Sequence, residues 1–177
     1  MSGINRKYLD ESLRLRKRNE LCVFISHQKK DTKECSEIAD FLKSVGIDVY
    51  FDEYDSDLRI AVQDDDPKKV VNAIRKGIKN STHMLCVISP NTLYSKWVPF
   101  EVGYGYDSTQ VMVLTLKGIA KGDLPHYARA VPVIRDIYDI NKFVENKKGK
   151  YILESRNFSD YQAKSHPLSN VMDKIIT

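Results

Sequence analysis

The residue whose type and position point most clearly to chemistry is Glu101. It lies four residues after Trp97, and Pro99 between them marks the start of a helix. The apolar run from Met84 to Ile88 comes before this segment and predicts a buried strand. In α/β proteins, ligands bind where such strands end. Glu101 is therefore a candidate catalytic carboxylate.

Glu101 also has a purely structural interpretation. A carboxylate in the first turn of a helix is stabilised by the free N–H groups and by the helix dipole, whether or not it has a chemical role. A capping box would place Ser or Thr three residues before the Glu, and this chain has Val98 there. The sequence thus weakens the capping interpretation and leaves both roles open.

Polar residues also follow the other predicted strands. They come at the ends of the first strand (Ser26 and His27), the second (Asp52) and the third (Ser89). Because the carboxyl ends of parallel strands meet at one edge of a sheet, we expect these residues and Trp97 to bind substrate. Turn formation would account equally well for the polar residues, and core packing for the tryptophan.

Strand-like and helix-like patterns alternate along the chain. The predicted strands are Leu21–Ser26, Ile47–Phe51, His83–Ser89, Gln110–Leu116 and a short one near Ala130–Ile134. The predicted helices are Arg6–Arg18, Asp31–Val45 (with Gly46 as its C-terminal cap), Pro67–Ile78, Trp97–Glu101 and beyond, Asp136–Glu145 and Leu168–Ile176. This alternation predicts a flavodoxin-like α/β fold with three layers, in which helices cover both faces of a parallel sheet of about five strands.

Size and composition are typical of a single globular domain. With 177 residues, 42% of them hydrophobic and 29% charged, the chain can bury a core of its own. The net charge of +4 is modest, and no aromatic platform or groove-reading helix is recognisable, so we expect no nucleic-acid partner. No apolar run is long enough for a membrane span and the first residues are too polar for a secretion signal, so we expect a cytoplasmic location.

Several metal- and phosphate-binding motifs are incomplete. A response-regulator receiver has acidic residues at the ends of its first and third strands, where this chain has Ser26 and Ser89. A calcium loop starting at Asp55 would require Gly at its sixth position, which is Ile60. The histidines and cysteines lack zinc-site spacing, and we expect Cys22, Cys35 and Cys86 to be small buried residues. We expect no metal and no bound cofactor.

Three segments, in order, resemble a known family. Val23–Asp31 (Val-Phe-Ile-Ser-His-Gln-Lys-Lys-Asp) resembles the first strand and turn of TIR domains. Gly46–Glu53 (Gly-Ile-Asp-Val-Tyr-Phe-Asp-Glu) resembles their second strand, and Ile88–Glu101 their third strand and catalytic helix. The resemblance extends from Leu21 to Leu116. We expect an N-terminal helical extension over 1–20, a TIR domain over 21–146, and a C-terminal tail with a packed helix over 147–177.

The resemblance implies an enzyme that uses NAD as substrate. Enzymatic TIR domains cleave the bond between nicotinamide and ribose, with Glu101 as the catalytic glutamate here and Trp97 as its structural companion. The stand-alone form is similar to the TIR proteins of bacterial Thoeris anti-phage systems. Those proteins make a cyclic ADP-ribose isomer, a diffusible signal that activates a downstream effector. Self-association through the TIR loops is also implied.

Two alternative functions remain open on the sequence. A TIR domain can be a non-catalytic interaction module, and a nucleoside deoxyribosyltransferase shares the sheet architecture and a catalytic carboxylate. Fold alone does not separate these from an NAD-cleaving enzyme. The loop 52–66 is more acidic than in many TIR relatives and lacks their Pro-Gly turn, and we expect it to cover the site.

Overall fold

A five-stranded parallel sheet forms the centre of the protein. The computed structural model describes residues 2–51, 67–94, 98–148 and 165–174. The strands lie in the order β2-β1-β3-β4-β5, and each neighbouring pair is parallel. Their bounds are Cys22–Ser26 (β1), Asp48–Tyr50 (β2), His83–Ile88 (β3), Gln110–Thr115 (β4) and Val133–Ile134 (β5). The predicted flavodoxin-like α/β fold is confirmed.

Helices pack on both faces of the sheet. The α-helices of the described residues are Glu11–Arg16 (α1), Thr32–Ser44 (α2), Pro67–Lys79 (α3), Val98–Tyr106 (α4) and Ile137–Lys148 (α5). Apolar residues of α2 and α5 form one core with one face of the sheet. Apolar residues of α3 and α4 form a second core with the opposite face. Gly46, with a φ of 81°, follows α2 as the predicted cap.

Successive residues of each strand face opposite layers, as strand geometry requires. In β3, Met84, Cys86 and Ile88 pack with α3 and α4. Leu85 and Val87 pack with α2 and α5. Because both faces are covered, all of β3 is buried, which explains its unbroken apolar sequence. The same alternation decides which helical layer each polar residue at a strand end meets.

The N-terminal segment covers one edge of the sheet and is held there by a buried arginine. Asn5 forms a bridge with Val49 of β2, and Arg6 is only 1% exposed. The Arg6 guanidinium donates to the Asp48 carboxylate at 2.8 Å and to the backbone carbonyl of Lys17 at 2.7 Å. A charged residue is therefore part of the packing between the extension and the domain.

The helix predicted over Arg6–Arg18 is interrupted in the structure. A 3₁₀ turn covers Arg6–Tyr8, Leu9 is extended, and α1 begins only after Asp10. The Asp10 carboxylate accepts a hydrogen bond from the backbone N–H of Leu13 at 2.9 Å and so fixes a new helix start. The apolar spacing alone did not reveal this second start.

The C-terminal helix predicted over Leu168–Ile176 is wrong for its described part, 168–174, which forms turns. Its backbone bonds to the domain instead: the carbonyls of Val171 and Asp173 accept from the N–H groups of Lys117 and Ile137. The spacing that resembled a helix still buries its apolar residues in the core, namely Leu168, Val171 and Met172.

The cysteines are free and buried, as the sequence predicts. Burial raises the pKa of the Cys22 thiol to about 11, so this thiol stays protonated and unreactive at neutral pH. Within the described part of the chain, none of the helices has the length and apolar character of a membrane span.

We expect Arg6→Met to lower the free energy of unfolding by about 3 kcal/mol, because it leaves the Asp48 carboxylate without its buried partner. Urea denaturation followed by circular dichroism measures this loss. The matched control is Lys43→Met, which removes an exposed pair with Asp40 and should cost less than about 0.5 kcal/mol. Equal losses in the two variants would contradict the role assigned to Arg6.

Stability should fall as the pH decreases from about 6.5 to about 4, because His83 is buried in its neutral form. Burial, and then the charge of Lys147, lower the pKa of His83 from 6.5 to about 4. In that interval the unfolded chain takes up a proton that the folded chain does not, so acid favours unfolding. Urea midpoints measured across this range should decline less in His83→Gln. The control His126→Gln, at an exposed position, should keep the wild-type slope.

Candidate active site

The candidate site lies where the order of the strands reverses. From β1 the chain passes outward to β2, and it then returns past β1 to form β3 on the other side. The connection after β1 leads to α2 on one face, and the connection after β3 leads to α4 on the opposite face. Such a divergence opens a crevice at the carboxyl ends of the two strands. The predicted site residues that the structure describes are Ser26 at the end of β1, His27 and Ser89 in these connections, and Glu101 in α4.

Glu101 meets Ser26 across this crevice. The Ser26 side chain has the same direction along β1 as that of Phe24, which packs in the layer of α3 and α4. Its hydroxyl donates a hydrogen bond to Oε2 of Glu101. Only 7% of Glu101 and 2% of Ser26 is exposed. The carboxylate is therefore oriented by a fixed donor in surroundings with little water.

Two residues of α4 bring Glu101 to this position. Pro99 lies in the first turn, where its missing N–H costs no hydrogen bond, and Glu101 lies in the same turn. Gly105 faces the sheet, and a Cβ there would lie 2.6 Å from Sδ of Met84. A larger residue would require the Met84 side chain or α4 itself to shift, so the glycine permits this close approach of the helix to β3.

Ser89 is engaged by the opposite layer. Its hydroxyl donates to Oδ2 of Asp31 at 2.5 Å and accepts from the backbone N–H groups of Asn91 and Thr92 at 3.1 and 3.2 Å. The Asn91 side-chain amide donates to Oδ1 of Asp31 at 2.6 Å. Ser89 is 1% exposed and Asp31 is 4% exposed. The predicted substrate contact at Ser89 is thus a buried residue inside a hydrogen-bond network.

His27 turns towards the layer of α2. Its ring lies 4.9 Å from the ring of Phe51, measured between centroids. Its Nε2 is 3.4 Å from Oγ1 of Thr32 at the start of α2. The His27 residue is only partly buried. His27 keeps its place as a predicted substrate contact, but its nearest neighbours differ from those of Ser26.

Two residues near Glu101 were not predicted from the sequence. Burial, and then the negative charge of Glu101, raise the pKa of the Cys86 thiol well above its ordinary value. Burial, and then the neighbouring Cys86 and Glu101 side chains, raise the pKa of the Tyr127 hydroxyl to about 12. The thiol and the hydroxyl therefore remain neutral at pH 7. Tyr127 lies in a 3₁₀ turn after β4, distant from Glu101 in the sequence, and no local motif predicts its position near Glu101.

Two predicted contacts, Asp52 and Trp97, lie outside the described residues, as does the acidic loop 52–66. Their assignment stays a prediction. Among the residues that the structure describes, no cluster of three or more His, Cys, Asp or Glu side chains has the arrangement of a metal site.

The chemistry open to this arrangement is electrostatic. One carboxylate, held by a hydroxyl and largely shielded from water, stabilises positive charge on a bound molecule more strongly than it would in solution. In glycoside hydrolysis two carboxylates flank the scissile bond, because the leaving oxygen needs a proton. An electrostatic role for Glu101 suits a substrate whose leaving group departs without a proton.

Comparison with known proteins identifies a family and a relative. The profile of a family described as "TIR domain" matches residues 23–146, well over half of the chain. A curated protein of Methanobrevibacter olleyae, named probable 2' cyclic ADP-D-ribose synthase TcpO, is 27% identical over 149 residues. The match covers 79% of this chain and 40% of the relative, so the chain spans less than half the length of that protein.

Comparison with solved structures gives further matches. A metazoan TIR-STING receptor from C. gigas matches with a TM-score of 0.50 and 24% identity, over 71% of this chain and 40% of the receptor. The TIR domain of the Toll-related receptor TRR-2 from Hydra magnipapillata matches with a TM-score of 0.47 and 18% identity, over 63% of this chain and 81% of that one. At such identity, the first of these supports the fold alone.

We expect Ser26→Ala to lower the free energy of unfolding by about 2 kcal/mol, because the buried Glu101 carboxylate loses a hydrogen-bond donor. The matched control is Ser81→Ala, since the buried Ser81 hydroxyl donates to a neutral carbonyl, that of Gly77, at 3.0 Å. Its loss should cost about 1 kcal/mol. Urea denaturation at pH 7 compares the two. A smaller loss for Ser26→Ala than for the control would contradict the contact.

Proposed function

The chain belongs to the TIR domain family, and from that premise we propose that it breaks the bond between nicotinamide and ribose in NAD. The observation that carries the proposal is the buried Glu101 carboxylate, held by Ser26 at the point where the strand order reverses. Membership in the family leaves the nucleoside deoxyribosyltransferase alternative without support.

The reaction suits a site with one carboxylate. Nicotinamide leaves as a neutral pyridine, so its departure needs no general acid. The difficulty lies in the positive charge that develops on the ribose as the bond breaks, and Glu101 is the group that stabilises it. The Ser26 hydroxyl fixes the orientation of the carboxylate before the substrate binds, so little reorganisation is needed during the reaction.

The remaining site residues have proposed roles in binding. His27, which is partly exposed after the end of β1, is proposed to contact ribose or phosphate. Asp52 and Trp97 keep the roles that the family resemblance implies. Ser89 acts indirectly in this proposal, because its hydroxyl is used in the bond with Asp31. The substrate is NAD itself, and no further cofactor is required.

We also propose that the product is a cyclic ADP-ribose isomer. The relative from Methanobrevibacter olleyae is named as a probable synthase of 2' cyclic ADP-D-ribose. Cyclisation needs the charged ribose to be shielded from water until an internal hydroxyl or the adenine attacks it. The low exposure of Glu101, 7%, favours such shielding. A cyclic nucleotide of this kind would serve as a diffusible signal in a Thoeris-like anti-phage response, acting on a downstream effector.

We expect Glu101→Gln to reduce NAD consumption by about 100- to 1,000-fold, because the amide has nearly the same shape but does not carry the charge that opposes the developing cation. The measurement is chromatography with mass spectrometry of small molecules from cells that express each form, with and without phage challenge. Glu11→Gln, at an exposed position in α1, is the matched control and should behave as wild type.

The products distinguish the possible functions. A cyclic ADP-ribose isomer that depends on Glu101 would support a signalling cyclase. Loss of NAD with linear ADP-ribose alone would indicate a hydrolase and overturn the cyclisation step. No difference between wild type and Glu101→Gln under either condition would overturn the enzymatic proposal and favour an interaction module.

A further inference from the structure

Asp31 lies at the start of a helix, but its side chain does not cap that helix. It ends a 3₁₀ turn, Lys29–Asp31, and immediately precedes α2. At this position an Asp side chain normally accepts a hydrogen bond from the first turn of the helix. Here the side chain makes no capping bond. Asp31 is only 4% exposed, and its carboxylate accepts hydrogen bonds from residues outside this helix.

Those partners belong to the connection between β3 and α4. Asp31 accepts from the Ser89 hydroxyl at 2.5 Å and from the Asn91 amide at 2.6 Å, one bond to each oxygen. Thr92 completes the network: its hydroxyl lies 3.5 Å from Asp31 and donates its proton to the Val87 carbonyl at 3.1 Å. A buried carboxylate that lacked these donors would be unstable, so it holds them firmly.

The connection that Asp31 holds is the one that leads to Glu101. A 3₁₀ turn at Thr92–Tyr94 follows the network, and α4 begins at Val98, three residues before Glu101. Misplacing a catalytic group by about 1 Å can reduce turnover by about 100-fold. Fixing the near end of this connection therefore affects where the carboxylate meets the substrate.

We propose that Asp31 is a positioning residue for Glu101, acting through Ser89 and Asn91. The inference rests on the proposed NAD-cleaving function and extends it to a residue that has no contact with the reaction itself. Asp31 holds the connection from the side of β1, the same strand whose terminal Ser26 bonds Glu101 directly. Residues at the end of β1 and directly after it thus contact both the start of the path to Glu101 and Glu101 itself.

The first test is a double-mutant cycle on turnover. Asp31→Ala, Asn91→Ala and the double variant are compared with wild type, and kcat and KM for NAD are measured separately. We expect Asp31→Ala to lower kcat by about 10- to 100-fold with KM nearly unchanged, since misplacement affects the transition state more than substrate binding. The double variant should be no slower than Asp31→Ala, because the side-chain bond that Asn91→Ala removes is already lost in Asp31→Ala.

The matched control is Asp136→Ala. Asp136 is 5% exposed and accepts from the backbone N–H of Asp139 at 2.9 Å, so it is a buried aspartate of similar burial at the start of α5. We expect it to change thermal stability but not kcat. Equal losses of kcat in Asp31→Ala and Asp136→Ala would overturn the positioning role. If Asp31→Ala does not fold, Asn91→Ala breaks the Asp31–Asn91 hydrogen bond by changing the exposed partner instead. A wild-type kcat in Asn91→Ala would also overturn the positioning role of Asp31.

A second readout does not depend on activity. Trp97 is the only tryptophan, and in sequence it lies between Thr92 and Glu101. Its quenching by acrylamide should change in Asp31→Ala and Asn91→Ala but not in Asp136→Ala. If the wild type consumes no NAD, the proposed function fails, and this fluorescence comparison alone decides whether Asp31 holds the connection. Unchanged quenching in both Asp31→Ala and Asn91→Ala would overturn the inference.

Discussion

Two serine-to-carboxylate hydrogen bonds cross between β1 and β3, and the arrangement of the site depends on them. Ser26, at the end of β1, bonds Glu101 in the helix that follows β3. Ser89, after the end of β3, bonds Asp31 at the start of the helix that follows β1. Each strand thus holds the connection that leaves the other strand. The two connections diverge to opposite faces, and these bonds keep them together at the crevice.

Strand geometry explains why the two bonds point to opposite layers. Side chains alternate along a strand, so Ser26 follows the direction of Phe24 and faces α4, whereas Ser89 follows the direction of Val87 and faces α2. His27, one residue after Ser26, turns to the α2 side for the same reason. The direct pairing of β1 with β3 brings both serines to the same edge of the sheet.

The sequence predicted the sheet well because the short unbroken apolar runs of β1 and β3 fit a strand covered on both faces and lack the spacing of an amphipathic helix. It identified Glu101 from Pro99 and the preceding strand, and Glu101 is buried.

The sequence did not predict which residues contact the site residues. The Asp31 network joins residues 58 and 60 positions apart, and Tyr127 comes from a separate turn. The sequence predicted a helix where residues 168–174 form turns, because the spacing of the buried residues Leu168, Val171 and Met172 fits both structures.

In the proposed reaction, Glu101 is the one described residue whose charge opposes the developing cation, so its effect depends on its position. In glycoside hydrolysis with two carboxylates, a proton can be supplied as well as a charge. In the proposed reaction Glu101 supplies charge alone, so its benefit depends on its distance from the developing cation and on the absence of water between them. That demand accounts for a hydroxyl on the carboxylate itself, a glycine that lets α4 approach β3, and a second buried carboxylate that fixes the path from β3 to α4.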